Sequence, residues 1–172
     1  LVEKEATTPD NYPVSSNSLV NACNQTSNRD PVVSYDVRAI DTAMIELRTA
    51  GLARTVTGGR TNKHRHVLDE TWGTSAGDQA VLAVLFLRGA QTPGELRGRT
   101  ERIHHFETPG QIEDVLRSLA GRAEPFVVQL DRRPGQKESR WVHLLDDETA
   151  ADHGTQAGAE TAAQPLDELR AR

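Results

Sequence analysis

Four side-chain amides and one guanidinium fall close together in this chain: Asn21, Asn24, Gln25, Asn28 and Arg29. Amides and arginine pair with base edges through two hydrogen bonds at once, which makes the cluster a candidate for reading a nucleic acid, Asn21, Asn24 and Arg29 above all. The same residue types also close turns by bonding to nearby backbone, and Asn24 to Asp30 stands where a helix should give way to a turn. That capping use is the commoner one. A second chemistry is carried by cations: Arg60, Lys63 and Arg65 in one stretch, Arg132, Arg133, Lys137 and Arg140 in another, and Arg97, Arg99 and Arg102 between them. Such groups contact phosphates, with salt-dependent and sequence-independent binding. The competing reading is that turns are solvated and commonly charged. His64 and His66 alternate onto one face of a strand and His104 adjoins His105, but neither a second cysteine nor a zinc-binding helix motif accompanies them, so no metal site is expected. Cys23 shares an apolar stripe with Leu19 and reads as a packed thiol. Neither a phosphate-binding glycine loop nor a nucleophile elbow is present, so no catalytic residue, cofactor or enzymatic activity is expected.

The elements that must position these groups follow from periodicity. Leu19, Ala22 and Cys23, then Val37, Ile40, Met44 and Leu47, recur at helical steps and predict two short amphipathic helices joined by a polar turn. Leu52 to Thr57 and Lys63 to Leu68 read as strands about the Gly58-Gly59 turn. The second half repeats the first. Asp78 to Arg88 predicts a helix, and Thr92-Pro93-Gly94-Glu95 and Thr108-Pro109-Gly110-Gln111 are capping boxes that open two more. Ile112, Val115, Leu116 and Leu119 then give one apolar face. Phe126 to Leu130 and Ser139 to Leu145 form a second hairpin. Leu19 matches Leu96, Leu47 matches Leu119, and His66-Val-Leu matches His143-Leu-Leu. The expected fold is mostly α with small β-hairpins (α+β): two tandem winged-helix domains at 1–70 and 75–145, followed by an acidic, disordered tail at 146–172. Pairing Thr7-Thr-Pro9 with Gln91-Thr-Pro93 makes Leu1 to Ala6 the end of a helix whose earlier turns are missing.

Composition narrows the function. The chain has 172 residues, 36% of them apolar and 4% aromatic, with a net charge of −5. Asp146 to Arg172 holds seven acidic and two basic residues, so the tail accounts for the whole net charge and leaves the body neutral. The longest apolar run, Ala80 to Leu87, is far short of the roughly 20 residues that span a bilayer. One cysteine and the lack of a signal segment at Leu1-Val-Glu-Lys-Glu point to a soluble protein of the reducing cytoplasm. In a winged helix the third helix enters the major groove. Here its outward positions are Arg38, Asp41, Thr42, Ile45, Glu46 and Arg48 in the first domain, and Glu113, Asp114, Arg117 and Ser118 in the second. Carboxylates there face phosphates unfavourably, so duplex DNA is expected to engage the basic wings instead. The alternative is a protein-interaction module, with Ile45 and the acidic third helices as a docking face or a homodimer contact.

Several longer strings carry a resemblance: Leu1-Val-Glu-Lys-Glu-Ala-Thr-Thr-Pro-Asp-Asn-Tyr-Pro, Ser18-Leu-Val-Asn-Ala-Cys-Asn-Gln, Ser27-Asn-Arg-Asp-Pro, Gln91-Thr-Pro-Gly-Glu-Leu-Arg and Pro134-Gly-Gln-Lys-Glu-Ser-Arg. In these the chain resembles the YceH family of uncharacterised bacterial proteins, over residues 1 to about 145. The resemblance implies a bacterial protein with two winged-helix domains. It assigns no biochemical role.

Overall fold

The computed structural model describes residues 1–132, 134, 135, 137–146 and 149, so Arg133 and nearly all of the acidic tail lie outside the described residues. In the first half, α1 (Val2–Thr7) is followed by a 3-10 turn (Pro9–Asn11), β1 (Val14–Ser15), α2 (Ser16–Cys23), α3 (Val37–Thr49), β2 (Ala53–Val56) and β3 (Lys63–His66). Next, α4 (Leu68–Trp72) leads into α5 (Ala76–Arg88), α6 (Pro93–Thr100), α7 (Pro109–Ala120), β4 (Val127–Gln129) and β5 (Trp141–His143). The class is α+β, helices with small antiparallel sheets.

Helix starts lie where side chains can take up the first free N–H groups. Ser15 accepts from Ser18 N at 3.3 Å and Asp36 from Ala39 N at 2.8 Å. Ser75 with Asp78, Thr92 with Glu95 and Thr108 with Gln111 form reciprocal capping boxes. Each such cap is worth about 1 kcal/mol. The first of these boxes sets the start of α5 at Ala76, two residues ahead of the sequence expectation.

The internal repeat extends to single hydrogen bonds. Val67 N donates to Leu52 O at 3.0 Å as Leu144 N does to Phe126 O at 2.9 Å. His66 Nδ1 accepts from Leu68 N, and His143 Nδ1 from Leu145 N, both at 3.4 Å. One expected correspondence is corrected. Thr92 caps α6, but Thr8 leads only into the 3-10 turn, and the cap equivalent to Thr92 is Ser15. Val14 before it pairs with His64 on β3, as Gln91 bridges to Trp141 on β5. The first half therefore carries an extra loop from Thr8 to Tyr12 ahead of its second helix.

Two hydrophobic clusters form. In the first, Val14, Leu19, Ile40, Met44 and Ala53 are buried. The second is larger and centres on α5, whose Val81, Leu82, Val84 and Leu85 pack with Leu96, Ile112, Leu116, Leu119 and Val127. A helix apolar on every side has to be enclosed, and α5 touches α1, α6, α7 and β5. Two expectations differ. Val37 and Leu47, read as members of the buried stripe of α3, are 45% and 36% exposed, because among the described residues no element covers the two edges of that stripe. The strand expected over Lys63 to Leu68 ends at His66, and Leu68 instead begins α4, whose last residue Trp72 packs at a tilt against Phe126 of the second cluster.

Candidate nucleic-acid interface

A groove lies in the second half, where the N-termini of α6 and α7 open beside the β4–β5 hairpin. Capping boxes, with Pro93 and Pro109 in the first turns, fix where those two helices begin. Arg97 reaches the groove from α6, while Arg132 and Lys137 reach it from the loop joining β4 to β5. That loop turns at Gly135, whose φ of 87° is a conformation that favours glycine. Three carboxylates share the groove: Glu101, Glu113 and Glu138. The site can bind an anion at three points, and its own acids weaken that attraction.

The structure treats the other candidates differently. Arg140 is drawn out of the hairpin surface, since its guanidinium donates to both oxygens of Glu95 at 2.7 and 3.1 Å and to Ala90 O at 2.8 Å. Burial pushes the Glu95 carboxyl up, but the Thr92 backbone bond and Arg140 outweigh it and hold the group below its ordinary pKa. Arg140 therefore fastens β5 to the cap of α6 and is no longer a free phosphate contact. Arg99 is half-buried near Glu95. In the first hairpin Arg60 and Lys63 are exposed, whereas Arg65 shares Glu70 with Arg54. Arg102 donates to Glu3 at 3.0 Å, across from the first half.

The amide cluster is mostly structural. Asn24 clamps the backbone of Tyr35, donating to its O and accepting from its N, both at 2.7 Å. Asn28 sits at a φ of 57° and accepts from Arg88 at 3.0 Å. Arg29, read as a possible base contact, is corrected to a core residue. Its side chain is 6% exposed, pairs with Glu3 at 2.6 Å and donates to Ala22 O and Asn28 O at 2.7 Å. A buried guanidinium needs an acid partner, and α1 supplies it. Burial pushes the Glu3 carboxyl up, yet the bond to Arg29 and the charges of Arg29, Lys4 and Arg102 keep it below its ordinary value. Of the cluster Asn21 is the most exposed, and with Gln25, Lys4 and Ser18 it lines a small cleft.

Sequence reasoning missed one further assembly. Ser16 Oγ donates to Asp41 Oδ1 at 2.6 Å and lies 3.2 Å from His64 Nε2, and His64 Nδ1 lies 3.5 Å from Thr55 Oγ1. Burial, then Arg48, holds His64 below its ordinary pKa, while Asp41 opposes them. The Ser16 proton goes to Asp41, so the group works as a tie among α2, α3 and the first hairpin. Four residues from four separate elements leave no spacing to detect. Among the described residues no group of three or more His, Cys, Asp or Glu is placed to hold a metal, and no helix is long and apolar enough to cross a membrane.

Known proteins agree with the resemblance read from the strings above. A family model described as "Protein of unknown function, DUF480" matches residues 1–136. A UPF0502 protein of Solibacter usitatus is 47% identical, over 99% of this chain and 83% of its own length. A UPF0502 protein of Dechloromonas aromatica is 41% identical over 100% of this chain and 82% of its own, and one of Klebsiella pneumoniae is 43% identical with the same coverage. YceH is itself a member of the UPF0502 group. With a family model over most of its length and relatives this similar along nearly all of it, the chain belongs to the DUF480 family of proteins of unknown function.

Proposed function

We propose that this protein binds duplex DNA, each half acting as a winged helix and the second hairpin with its groove making the main phosphate contacts. The reading rests on one observation: Arg97 of α6 meets Arg132 and Lys137 of the β4–β5 loop on one groove into which two helix N-termini open. Helix N-termini and cations both favour phosphate. Arg60 and Lys63 on the first hairpin supply a second basic point. The carboxylates of Glu101, Glu113 and Glu138 make the binding weak and limited to low salt.

Fluorescence anisotropy with a random duplex, titrated at several salt concentrations, tests this. Changing Arg132 and Lys137 together to Glu should weaken binding to all sequences alike and lower the salt slope by about 2, near 0.9 for each lost phosphate contact. Glu113→Gln should tighten it. Asn21→Ala should alter sequence preference without changing the slope. Absence of binding at low ionic strength defeats the reading.

A second reading has its own support, since Val37 and Ile45 on α3 are 45% and 55% exposed beside Asp41 and Glu46. It makes α3 a docking face for a protein or for a second copy. Sedimentation at high micromolar concentration, with Ile45→Glu as control, tests that face.

A further inference from the structure

The halves differ where their helix ends meet the hairpin. Counted from the caps at Ser15 and Thr92, Ser16 matches Pro93 and Val20 matches Arg97; counted from the caps at Asp36 and Thr108, Asp41 matches Glu113. The hairpin registers add the other pairs, because Thr55 lies opposite His64 as Gln129 lies opposite Trp141. Val14 and Gln91, the residues before the first two caps, face His64 and Trp141 in turn, which fixes the match. Pro93, Glu113 and Gln129 therefore line the groove of the second half at the positions that Ser16, Asp41 and Thr55 hold in the first. In the first half these positions are bonded to one another through His64.

The bonds run in one direction. Arg48 donates to Thr55 Oγ1 at 2.9 Å, and Ser16 donates to Asp41 at 2.6 Å. With its proton directed to Asp41, the Ser16 oxygen accepts from His64 Nε2–H at 3.2 Å, which leaves His64 Nδ1 to accept from the Thr55 hydroxyl at 3.5 Å. A neutral His64 satisfies each link, and burial favours that form. The second half cannot build the same run of bonds, since Pro93 has no hydroxyl and the Trp141 indole only donates. A carboxylate stands at the matched position in both halves, Asp41 and Glu113, so charge there does not separate them.

We infer that Ser16, Asp41, Thr55 and His64 close, in the first half, the site that the second half leaves open to phosphate, so that a single groove of the chain takes a phosphate between its helix ends. This rests on the reading of the second groove as a phosphate site. In the first half Ser16 is held against Asp41 at the start of α2, and Val20 supplies no cation where α6 has Arg97. Arg60 and Lys63 lie outside this run of bonds and stay exposed, so the first half keeps its hairpin contacts and loses its groove.

Inorganic pyrophosphate at low ionic strength and about pH 7.5, where His64 is neutral, is the probe, and backbone amide NMR shifts of the whole chain are the readout. Gly94 and Gly110 carry free N–H groups in the first turns of α6 and α7, and their matches are Asn17 and Arg38. In the unaltered protein Gly94 and Gly110 should saturate at shifts at least about threefold larger than those of Asn17 and Arg38. The His64 ring should carry its proton on Nε2, and its nitrogen resonances should not move. Ser16→Ala with Asp41→Asn cuts the run of bonds, and Asn17 and Arg38 should then respond as well. Ser16→Thr keeps the hydroxyl and should leave them silent. So should Asp41→Asn alone, which removes the charge but still accepts from Ser16. A smaller ratio in the unaltered protein overturns the inference, as does a lack of response at Gly94 and Gly110, or a neutral His64 with its proton on Nδ1. A double variant that folds and stays silent overturns it, and so does an Asp41→Asn response as large as that of the double variant. If the double variant does not fold, the amide pattern of the unaltered protein and the His64 tautomer decide. Absence of duplex binding in the anisotropy titration, with this pyrophosphate pattern intact, defeats the DNA reading and leaves the inference standing.

Discussion

Among the described residues the second half gathers eleven buried apolar side chains, four of them from α5, while the first gathers five and is joined by polar ties. Asn24 holds the turn to Tyr35, Glu3 holds Arg29 and Arg102, and Ser16 links Asp41 with His64. Both halves follow one plan of helices and a hairpin, so the difference lies in how each closes its core. In the first half hydrogen-bonded networks join the elements around the smaller cluster. Such networks are sensitive in a way that apolar packing is not, because removing one partner leaves the other buried and unpaired.

The largest expected effect sets Glu3 against Glu95. Glu3→Ala strands the buried Arg29 charge and should cost about 3–5 kcal/mol. Glu95→Ala removes a cap and a pair whose side chains are about a third exposed (31% and 34%), at a cost of about 1 kcal/mol. Urea unfolding of both variants checks this, and similar losses would break the contrast. Next in size, Leu119→Ala should cost about 2–5 kcal/mol, and Leu47→Ala, at a side chain 36% exposed, less than about 1. Losses of similar size in the two variants would break this contrast.

The smallest effect is on pH. His64 and His143 both have folded pKa values held below the ordinary one, in each case by burial first. Their neutral forms favour the folded state, so their contribution is complete above the unfolded pKa of about 6.5 and is lost as pH falls through the folded values. Urea midpoints should therefore drift down from pH 7.5 towards 5, less so in His64→Asn, which removes the first half's share. Glu3, with its carboxyl also held low, adds a separate loss at more acid pH, below the ordinary carboxylate range. A flat profile between pH 7.5 and 5 would remove both histidines from this account.

Much of the plan was legible in the residues. The capping boxes at Thr92 and Thr108 and the stripe of Ile112, Leu116 and Leu119 are short-range signals, and each appears where the spacing puts it. The matching of His66 with His143 extends to the same backbone bond. The candidate interface was less legible. Arg29 and Arg140 look from the sequence like Arg132, yet Glu3 and Glu95 take them from positions 26 and 45 residues away. α4 was hidden for another reason: Leu68 continues the alternation of the strand before it, and five residues carry too little periodicity to separate from a loop.

The sequence by itself determined most of the helices, both hairpins, the caps at Thr92 and Thr108, the matching of the halves and the family, because these depend on contacts within a few residues or on strings read whole. Only the tertiary structure decided which charges stay free, which of two matched leucines is covered, and that Ser16, Asp41, Thr55 and His64 form one tie. Those outcomes depend on which elements meet in space. The energy of a charged or apolar side chain is set by that neighbour and by the loss of water around it, not by its own residue type.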